Sequence, residues 1–455
     1  MPRSRRLLGA LALASLLPAA AGAAAPLSPA AARLQAYLRL DTTNPPGNEG
    51  IAAAWLAREL AGAGIAVERY VSGAGRVNLV ARLRANSTPM GGAIALLHHM
   101  DVVPAGEGWS VAPFGGEVRD GMLWGRGALD CKSLGIAHLE AMLALARSDL
   151  PRHRDLLLVA VADEEAGGGE GTAALWERHP GLFADVALLL NEGGANKAVL
   201  GRHLLWGIEV AQKRPLWLEV SAKGRPGHAA GIQLGSAVHQ LVAGLARLVE
   251  RPPVWKIDPA ARAYLAAIGR LDPNLGRLEA DLDEVIAPDG PRRAIPPGLP
   301  SLFLDSLQVT VLAAGEEINS IPAEARARID IRLLPSTDTD AYLAGVREAL
   351  GKEIETRVLL AAPPSEPTPA SGPLWERLVA ALADEAPVIP IFLAGITDSR
   401  YFRERGVAAY GFSPFWVEAE PMRGVHGPDE RIPLDAFDRG VERMRRVVES
   451  LLATP

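Results

Sequence analysis

The feature that most constrains the fold is an alternation of short apolar runs with helical patterns over the first half of the chain. The apolar runs have the length and composition of buried strands and lie at 77–83, 93–97, 156–162 and 186–190. Stretches with helical spacing lie between them, at 51–63, 134–147 and 172–178. Such alternation is typical of parallel strands joined by crossover helices, so this part is predicted to be an α/β layer fold.

The middle of the chain has a different pattern. Residues 217–222 and 324–333 alternate polar and apolar side chains, as antiparallel strands with one solvated face do. A proline-rich stretch at 251–300 separates them, and 361–373 has the composition of a linker. We therefore predict an α/β body, at 26–212 and 363–455, that is interrupted by an inserted α+β domain at 213–362.

The N-terminus has the layout of a secretory signal peptide. Arginines at positions 3, 5 and 6 precede the apolar run 7–17, and Ala21-Gly22-Ala23 is a small-residue cleavage site. An uncleaved anchor is the alternative, although the run is short for a membrane span. We expect residues 1–25 to be removed and the protein to be periplasmic or secreted, without stable membrane association.

The composition limits which partners the protein can bind and how its fold can be stabilised. Cys131 is the one cysteine in 455 residues, so no intramolecular disulfide can form and the core alone must stabilise the chain. The net charge is −6, which does not favour nucleic acid or an acidic membrane surface as a partner.

Two clusters in the first half contain candidate metal ligands. His99 and Asp101 follow the run 93–97 and are two residues apart, so on an extended segment they point to the same side. Because a carboxylate beside a metal-bound imidazole orients the ring, His99 is the candidate ligand and Asp101 its partner. A strand-end histidine without a metal is the alternative. Asp130 follows a glycine-containing turn and is either a helix cap or a carboxylate that bridges two metals.

Three further clusters carry acidic residues and a histidine. Asp163-Glu164-Glu165 ends the run 156–162, and adjacent carboxylates repel one another unless a cation binds or one acid is protonated. A solvated loop is the alternative. Asn191-Glu192 ends the next run, and His426 lies near the C-terminus. Each signal is weak alone, but together they suit a two-zinc site with an activated water and a nearby carboxylate base.

These motifs resemble the aminoacylase family of two-zinc metallopeptidases, which includes carboxypeptidase S, acetylornithine deacetylase, succinyl-diaminopimelate desuccinylase and glutamate carboxypeptidase. The resemblance runs from about residue 34 to the C-terminus. The carboxypeptidase S-like branch is the most similar, in the segments at 101–104, 108–109, 113–114 and 124–127. The resemblance implies a zinc-exopeptidase-like catalytic domain, with a mixed sheet flanked by helices, and an inserted lid of the type that dimerises.

The resemblance also assigns the metal site. The implied ligands of two Zn²⁺ ions are His99, Asp130, Glu165, Glu192 and His426, with Asp130 bridging both ions. Glu164 resembles the general base of the family. Asn191 stands where relatives have aspartate, so the ligand is assigned to Glu192, and the site would be weakened if its geometry required position 191. Co²⁺ or Mn²⁺ would fit similar ligands.

Further residues are implied for the substrate. His228, in Gly-His-Ala, resembles a histidine that stabilises the oxyanion. Asn319 and Arg332 resemble lid residues that face the substrate, and the planar guanidinium of Arg332 suits a terminal carboxylate. Thr397 and Arg400 lie in a segment that resembles a pocket-lining loop. The alternatives are a loop histidine for His228 and a salt bridge for either arginine.

The predicted function is hydrolysis of an amide bond next to a free carboxylate, by a secreted carboxypeptidase or N-acyl-amino-acid hydrolase. Its substrates would be small peptides or N-acyl amino acids. One alternative is a deacetylase or desuccinylase that acts on a non-peptide amide, and another is a non-catalytic binding protein on the same scaffold. The implied assembly is a homodimer through the lid, which the long stretch at 251–300 would enlarge and alter.

Overall fold

The computed structural model describes residues 26–199 and 202–453, so the predicted signal peptide lies outside the described residues. In chain order the strands are β1 Val67–Val71, β2 Val77–Leu83, β3 Ala93–His99, β4 Glu117–Arg119, β5 Met122–Trp124, β6 Leu156–Val161, β7 Val186–Asn191, β8 Ala195–Val199, β9 Arg202–Gln212, β10 Arg214–Lys223, β11 Gly227–His228, β12 Ser306–Ala313, β13 Ser320–Ile321, β14 Glu324–Leu333, β15 Ile354–Ala361, β16 Val388–Leu393, β17 Ala408–Gly411 and β18 Arg431–Pro433. The α-helices are α1 Pro29–Leu38, α2 Glu49–Ala61, α3 Lys132–Ala146, α4 Ala174–Arg178, α5 Ala237–Val249, α6 Pro259–Gly269, α7 Pro273–Ala280, α8 Leu282–Ile286, α9 Thr339–Leu350, α10 Pro373–Leu382, α11 Ser399–Arg403, α12 Ala419–Met422 and α13 Leu434–Leu452. In these ranges, no helix has both the length and the apolarity that a membrane span requires.

The larger sheet has the order β1-β2-β6-β3-β7-β17-β9-β16, with β8 paired to β9. Its centre, from β6 to β17, is parallel, whereas β2 runs antiparallel to β6 and β9 runs antiparallel to β17. Along β3 the side chains alternate between two cores: Ile94 and Leu96 pack with helices on one face, and Ala95 and Leu97 pack on the other. The predicted α/β fold with a mixed sheet flanked by helices is confirmed.

The smaller sheet is antiparallel and has the order β12-β14-β10-β15. Leu216, Leu218 and Val220 of β10 are buried beneath α5 and α9, while the residues between them point to the other face. This burial explains the polar and apolar alternation in the middle of the sequence. The short strands β11 and β13 pair with each other and form a tip on this inserted part of the chain.

The proline-rich stretch at 251–300 contains α6, α7 and α8, and it packs differently from what we predicted. Leu265 and Ile268 of α6 share a hydrophobic cluster with Ile389 and Ile391 of β16. The stretch therefore covers the edge of the larger sheet, whereas its position in the sequence indicated that it enlarges the lid. The physical reason is that β16 is an edge strand with apolar side chains, which require a cover.

Candidate metal centre

The candidate ligands meet at one edge of the larger sheet because β3, β6 and β7 are parallel neighbours. His99 is the last residue of β3, and Glu164 and Glu165 lie in a short 3-10 turn that follows β6. Glu192 follows β7 directly. The carboxyl ends of parallel strands lie at the same edge, where ligands of open α/β sheets bind. The hydrogen-bond ladder thus brings three distant sequence clusters into one site.

Asp130 and His426 join this edge from two loops and divide the site into two ligand groups. His99, Asp130, Cys131 and Glu192 form one group, and Asp130, Glu165 and His426 form the other. Within each group the ligand atoms lie within 4.8 Å of one another. Asp130 belongs to both groups, since its Oδ1 lies 3.0 Å from His99 Nε2 and its Oδ2 lies 3.1 Å from His426 Nε2.

The distances between these atoms fit two bound metal ions. Glu165 Oε2 lies 3.3 Å from His426 Nε2, and Glu192 Oε1 lies 3.8 Å from His99 Nε2. Two ligand atoms that bind one tetrahedral ion at about 2.0–2.1 Å lie about 3.3 Å apart. Glu165 Oε1 is buried and has no hydrogen-bond partner among the described residues. Imidazole nitrogens and carboxylate oxygens are the donors that zinc binds, so the residues fit this metal.

Cys131 is close enough to belong to the first ligand group, but its thiol is otherwise engaged. The Sγ atom donates a hydrogen bond to the main-chain oxygen of His99 at 3.7 Å. Burial raises the pKa of the thiol, which keeps it protonated. A protonated thiol is a poor metal ligand, so the first ligand group consists of His99, Asp130 and Glu192.

The electrostatics of the site call for a cation. Burial, together with the charge of Asp130, raises the pKa of Glu192 to about 8. Burial, together with the charge of Glu192, raises the pKa of Glu164 well above its usual value. Shifts of this sign arise when carboxylates share a desolvated site without a countercharge. A bound cation would remove that penalty and keep the carboxylates ionised.

Asp101 acts on this site in a different way from the one predicted. His99 Nδ1 donates to the main-chain oxygen of Asp101 at 2.9 Å, while the carboxylate lies 3.7 Å from that nitrogen. The carboxylate instead accepts hydrogen bonds from the N–H groups of Glu164 at 3.2 Å and Glu165 at 3.1 Å, and from Asn44 Nδ2 at 2.8 Å. The Asp101 side chain therefore positions the turn that carries the two glutamates.

Glu430 is a site residue that sequence reasoning missed. Its carboxylate is wholly buried and accepts hydrogen bonds from the N–H groups of Gly127 at 2.8 Å and Asp130 at 3.0 Å, and from Arg126 Nη1 at 2.8 Å. These bonds fix the turn that presents Asp130 to both ligand groups. A signal was present: an arginine between two glycines in an apolar stretch requires a carboxylate partner, and Glu430 lies four residues after His426.

Asn191 points away from the metal ligands. The residue is buried, and its Nδ2 donates to Ser399 Oγ at 3.2 Å. Glu192 is the side chain that approaches His99, with its Oε1 3.8 Å from the imidazole Nε2. The asparagine at position 191 thus leaves the first ligand group intact.

Thr397 and Arg400 lie in the loop and helix after β16. Thr397 lines the cavity beside Asp130 and Glu192, although its hydroxyl donates to Gln212 Oε1 at 2.9 Å. Arg400 is buried, its Nη2 donates to the Gly167 carbonyl at 2.6 Å, and its Nη1 has no hydrogen-bond partner among the described residues. Arg400 therefore anchors the loop that follows Glu165 rather than pairing with a carboxylate.

The predicted substrate residues of the inserted domain are not joined to the metal centre. His228 is exposed and pairs with Ser320 across β11 and β13. The main-chain oxygen of Asn319 accepts a hydrogen bond from the N–H of Ala229 at 2.9 Å. Arg332 donates to both oxygens of Asp330, at 2.7 Å and 2.8 Å. In the described part of the chain, no hydrogen bond or ion pair connects His228, Asn319 or Arg332 with the metal ligands.

Comparisons with known proteins agree with this geometry. Residues 95–450 match the model of Peptidase family M20/M25/M40. Human Aminoacylase-1 is 28% identical over 435 residues, which cover 94% of this chain and 96% of that protein. The N-fatty-acyl-amino acid synthase/hydrolase PM20D1 of Xenopus tropicalis is 28% identical over 370 residues, which cover 78% and 72% of the two chains. The M20 family metallo-carboxypeptidase Sso-CP2 from Sulfolobus solfataricus has the same fold, with a TM-score of 0.72, 17% identity and coverage of 93% and 99%.

Proposed function

Since the chain belongs to Peptidase family M20/M25/M40 and is a metal-dependent hydrolase of amide or peptide bonds, we propose that it cleaves an amide bond next to a free carboxylate. The family resemblance that the motifs indicated is thereby confirmed. The observation that carries the proposal is the pair of ligand groups that share Asp130 beside Glu164. The names of two relatives, an aminoacylase and an N-acyl-amino-acid hydrolase, favour N-acyl amino acids over peptides as substrates.

Two Zn²⁺ ions are the proposed cofactors, with Co²⁺ or Mn²⁺ as substitutes. His99 and Glu192 would hold one ion, Glu165 and His426 the other, and Asp130 both. Metal ions bound there would polarise the scissile carbonyl and lower the pKa of a water to about 7. Metal analysis of the purified protein should give two ions per chain, and one ion per chain would contradict the bridging role of Asp130.

Glu164 is the proposed general base. No described residue donates a hydrogen bond to its carboxylate, so the carboxylate is free to accept a proton from the attacking water. It then gives this proton to the nitrogen of the leaving amine, a role that contributes about 10²–10⁴-fold to the rate. The hydrogen bond from the Glu164 N–H to Asp101 keeps this turn in position during both transfers.

The test of the proposed function is a substrate panel with matched carboxylates. The zinc-loaded protein is assayed against dipeptides and N-acyl amino acids, each beside a twin whose carboxylate is blocked as an amide. We expect hydrolysis of the free-carboxylate members and loss of at least about tenfold in kcat/KM for the twins, because a charged anchor is lost. Equal turnover of both twins would mean that the free carboxylate is not recognised, and would contradict the proposal. No turnover with two metals bound would favour the alternatives, a deacetylase or desuccinylase acting on a non-peptide amide, or a binding protein.

The tip of the inserted domain is proposed to cover a metal centre. It presents His228 beside Ile232, Leu234 and Ile318, which are 94%, 95% and 100% exposed. A cluster of apolar side chains this exposed is typical of a surface that another protein surface or a ligand covers. Closure of the lid, or a homodimer through the lid, would bring His228 to the oxyanion. Light scattering gives the mass in solution, and a monomer would restrict the proposal to lid closure.

Export remains a proposal that rests on the sequence of residues 1–25. Expression of the full chain should yield a mature form without these residues outside the cytoplasm, with an N-terminus near Ala24. Retention of the full-length chain in the membrane fraction would support the uncleaved anchor instead. N-terminal sequencing of the cell fractions distinguishes these outcomes.

A further inference from the structure

We propose that the chain binds a long apolar acyl group in a groove that begins at the metal centre and continues beneath the segment of α6 to α8. This inference rests on the proposed function, because it names the acyl class of the same amide substrate. The inference is based on two adjoining cavities, on the wall that they share and on the charge of the residues that line them.

The first cavity lies directly beside the first ligand group. It has a volume of about 510 Å³, and Asp130 and Glu192 form part of its wall. Most of the remaining wall is apolar and includes Leu134, Ile396 and Phe415. A substrate whose amide carbonyl reaches the metal ligands would therefore place one of its two flanking groups in this cavity.

The second cavity extends the first one away from the metals. Its volume is about 590 Å³, and it lies between the larger sheet and the helical segment, with Ile268 and Leu275 on the helical side. Ala195, Asn196 and Leu393 line both cavities. The wall is also continuous along the chain, since 391–394 line the second cavity and 395–397 line the first. The two cavities thus share a wall, and the proposed groove runs along it.

The charge of the groove decides which end of the substrate enters it. Apart from the metal ligands Asp130 and Glu192, its acidic residue is Asp272, and no lysine, arginine or histidine is present among the described residues that line it. The free carboxylate of an N-acyl amino acid would find no countercharge along these walls, whereas a neutral hydrocarbon chain would be stabilised. Burial of one methylene contributes about 0.8 kcal/mol, which corresponds to a binding gain of about fourfold.

The experiment varies the acyl length on one amino acid. Zinc-loaded protein is assayed with acetyl, hexanoyl and dodecanoyl derivatives of the same amino acid. We expect kcat/KM to rise at least about 100-fold from acetyl to dodecanoyl, since most of the added methylenes become buried. Binding of the dodecanoyl and acetyl derivatives to the zinc-loaded E164Q variant is measured by calorimetry as a second readout.

Variants test the location of the groove. Ala195→Trp places an indole where the two cavities meet, and Leu275→Gln makes the distal wall polar. Both should reduce the ratio of dodecanoyl to acetyl kcat/KM by at least about tenfold. Leu271→Gln is the matched control, because Leu271 is 44% exposed on the same segment and lines neither cavity. Its ratio should equal that of the unchanged protein.

The outcomes separate this inference from the proposed function. Hydrolysis and binding that do not depend on acyl length would overturn the groove and leave the proposed function intact. A length dependence that the two groove variants leave unchanged would also overturn it, because the chain would then bind elsewhere. If no derivative is hydrolysed, the proposed preference for N-acyl amino acids fails, and the calorimetry decides the inference: tighter binding of the dodecanoyl derivative supports the groove, and equal affinities reject it.

Discussion

The metal centre and the tip of the inserted part of the chain both carry motifs that resemble the same family, but the two sets of side chains lie in different surroundings in the structure. At the metal centre, strands β3, β6 and β7 end side by side. This arrangement places His99, Glu165 and Glu192 at the same edge of the sheet. At the tip, His228 on β11 and Asn319, which precedes β13, are exposed to solvent. The difference teaches that a motif predicts the position of its side chain where the hydrogen-bond ladder of the larger sheet fixes the neighbours. A motif on the separate strand pair β11 and β13 does not.

The strongest test of the metal centre is Glu164→Gln. We expect kcat to fall at least about 10³-fold, because the amide cannot accept the proton from water. The metal content should remain at the level of the unchanged protein, since Glu164 belongs to neither ligand group. Steady-state kinetics and metal analysis measure the two quantities. Glu177→Gln is the control, because Glu177 is exposed on α4. A variant that retains its turnover would contradict the role of Glu164 as base.

The second test removes the support beneath Asp130. Glu430→Ala should lower the free energy of unfolding by about 3 kcal/mol, because it leaves Arg126 buried without its carboxylate. It should also weaken metal binding about tenfold or more, since partners of metal ligands tune affinity to this extent. Urea denaturation and competition with a chelator measure these effects. Unchanged metal affinity would mean that the turn at Asp130 keeps its shape without Glu430.

The third test concerns the tip, whose side chains form no hydrogen bond or ion pair with the metal ligands in the described part of the chain. If the tip covers a metal centre during turnover, His228→Ala should lower kcat about 100-fold, the magnitude expected for loss of one oxyanion donor. The metal content and the melting temperature should not change, because His228 is exposed. His239→Ala, an exposed histidine on α5, is the matched control. A kcat equal to that of the control would show that the tip stays away from the reaction.

The sequence allowed prediction of the features that follow from periodicity and from strand ends. The α/β fold followed from apolar runs such as 156–162, and the sets of carboxylates at strand ends indicated a cation site. Periodicity could not predict which groups form hydrogen bonds that position the metal ligands. The imidazole of His99 uses the main-chain oxygen of Asp101, and a main-chain acceptor carries no residue signature. The partner of Arg126 is Glu430, 304 residues away, and only the folded chain brings the two together.

The packing of 251–300 could not be predicted for a similar reason. Its amphipathic helices needed an apolar surface, and two were available, the smaller sheet and the edge of the larger one. The smaller sheet is already covered by α5 and α9, so α6 packs against Ile389 and Ile391 of β16. The choice between two surfaces depends on which other helices occupy them, and this information is spread over the whole chain.

The smallest expected effect is a change in stability with pH, which distinguishes the buried residues of α3 from the exposed tip. His138 lies in α3 beneath the sheet, its two ring nitrogens have no hydrogen-bond partner among the described residues, and burial lowers its pKa to about 3. The folded chain therefore keeps this ring neutral, while the unfolded chain takes up a proton below its ordinary pKa of 6.5. The contribution of His138 to stability must fall as the pH drops below that value and continue to fall until the folded pKa is reached.

His138→Leu removes this acid-dependent cost. From about pH 7.5 to about pH 5.5, the free energy of unfolding of the variant should gain about 1 kcal/mol relative to the unchanged protein. Urea denaturation at both pH values measures the difference, and titration of the metal ligands cancels because both proteins contain them. His239→Leu, on the exposed side of α5, should show no such gain. An equal response of the two variants would mean that water reaches the ring of His138, and the contrast between the buried metal ligands and the exposed tip would not extend to α3.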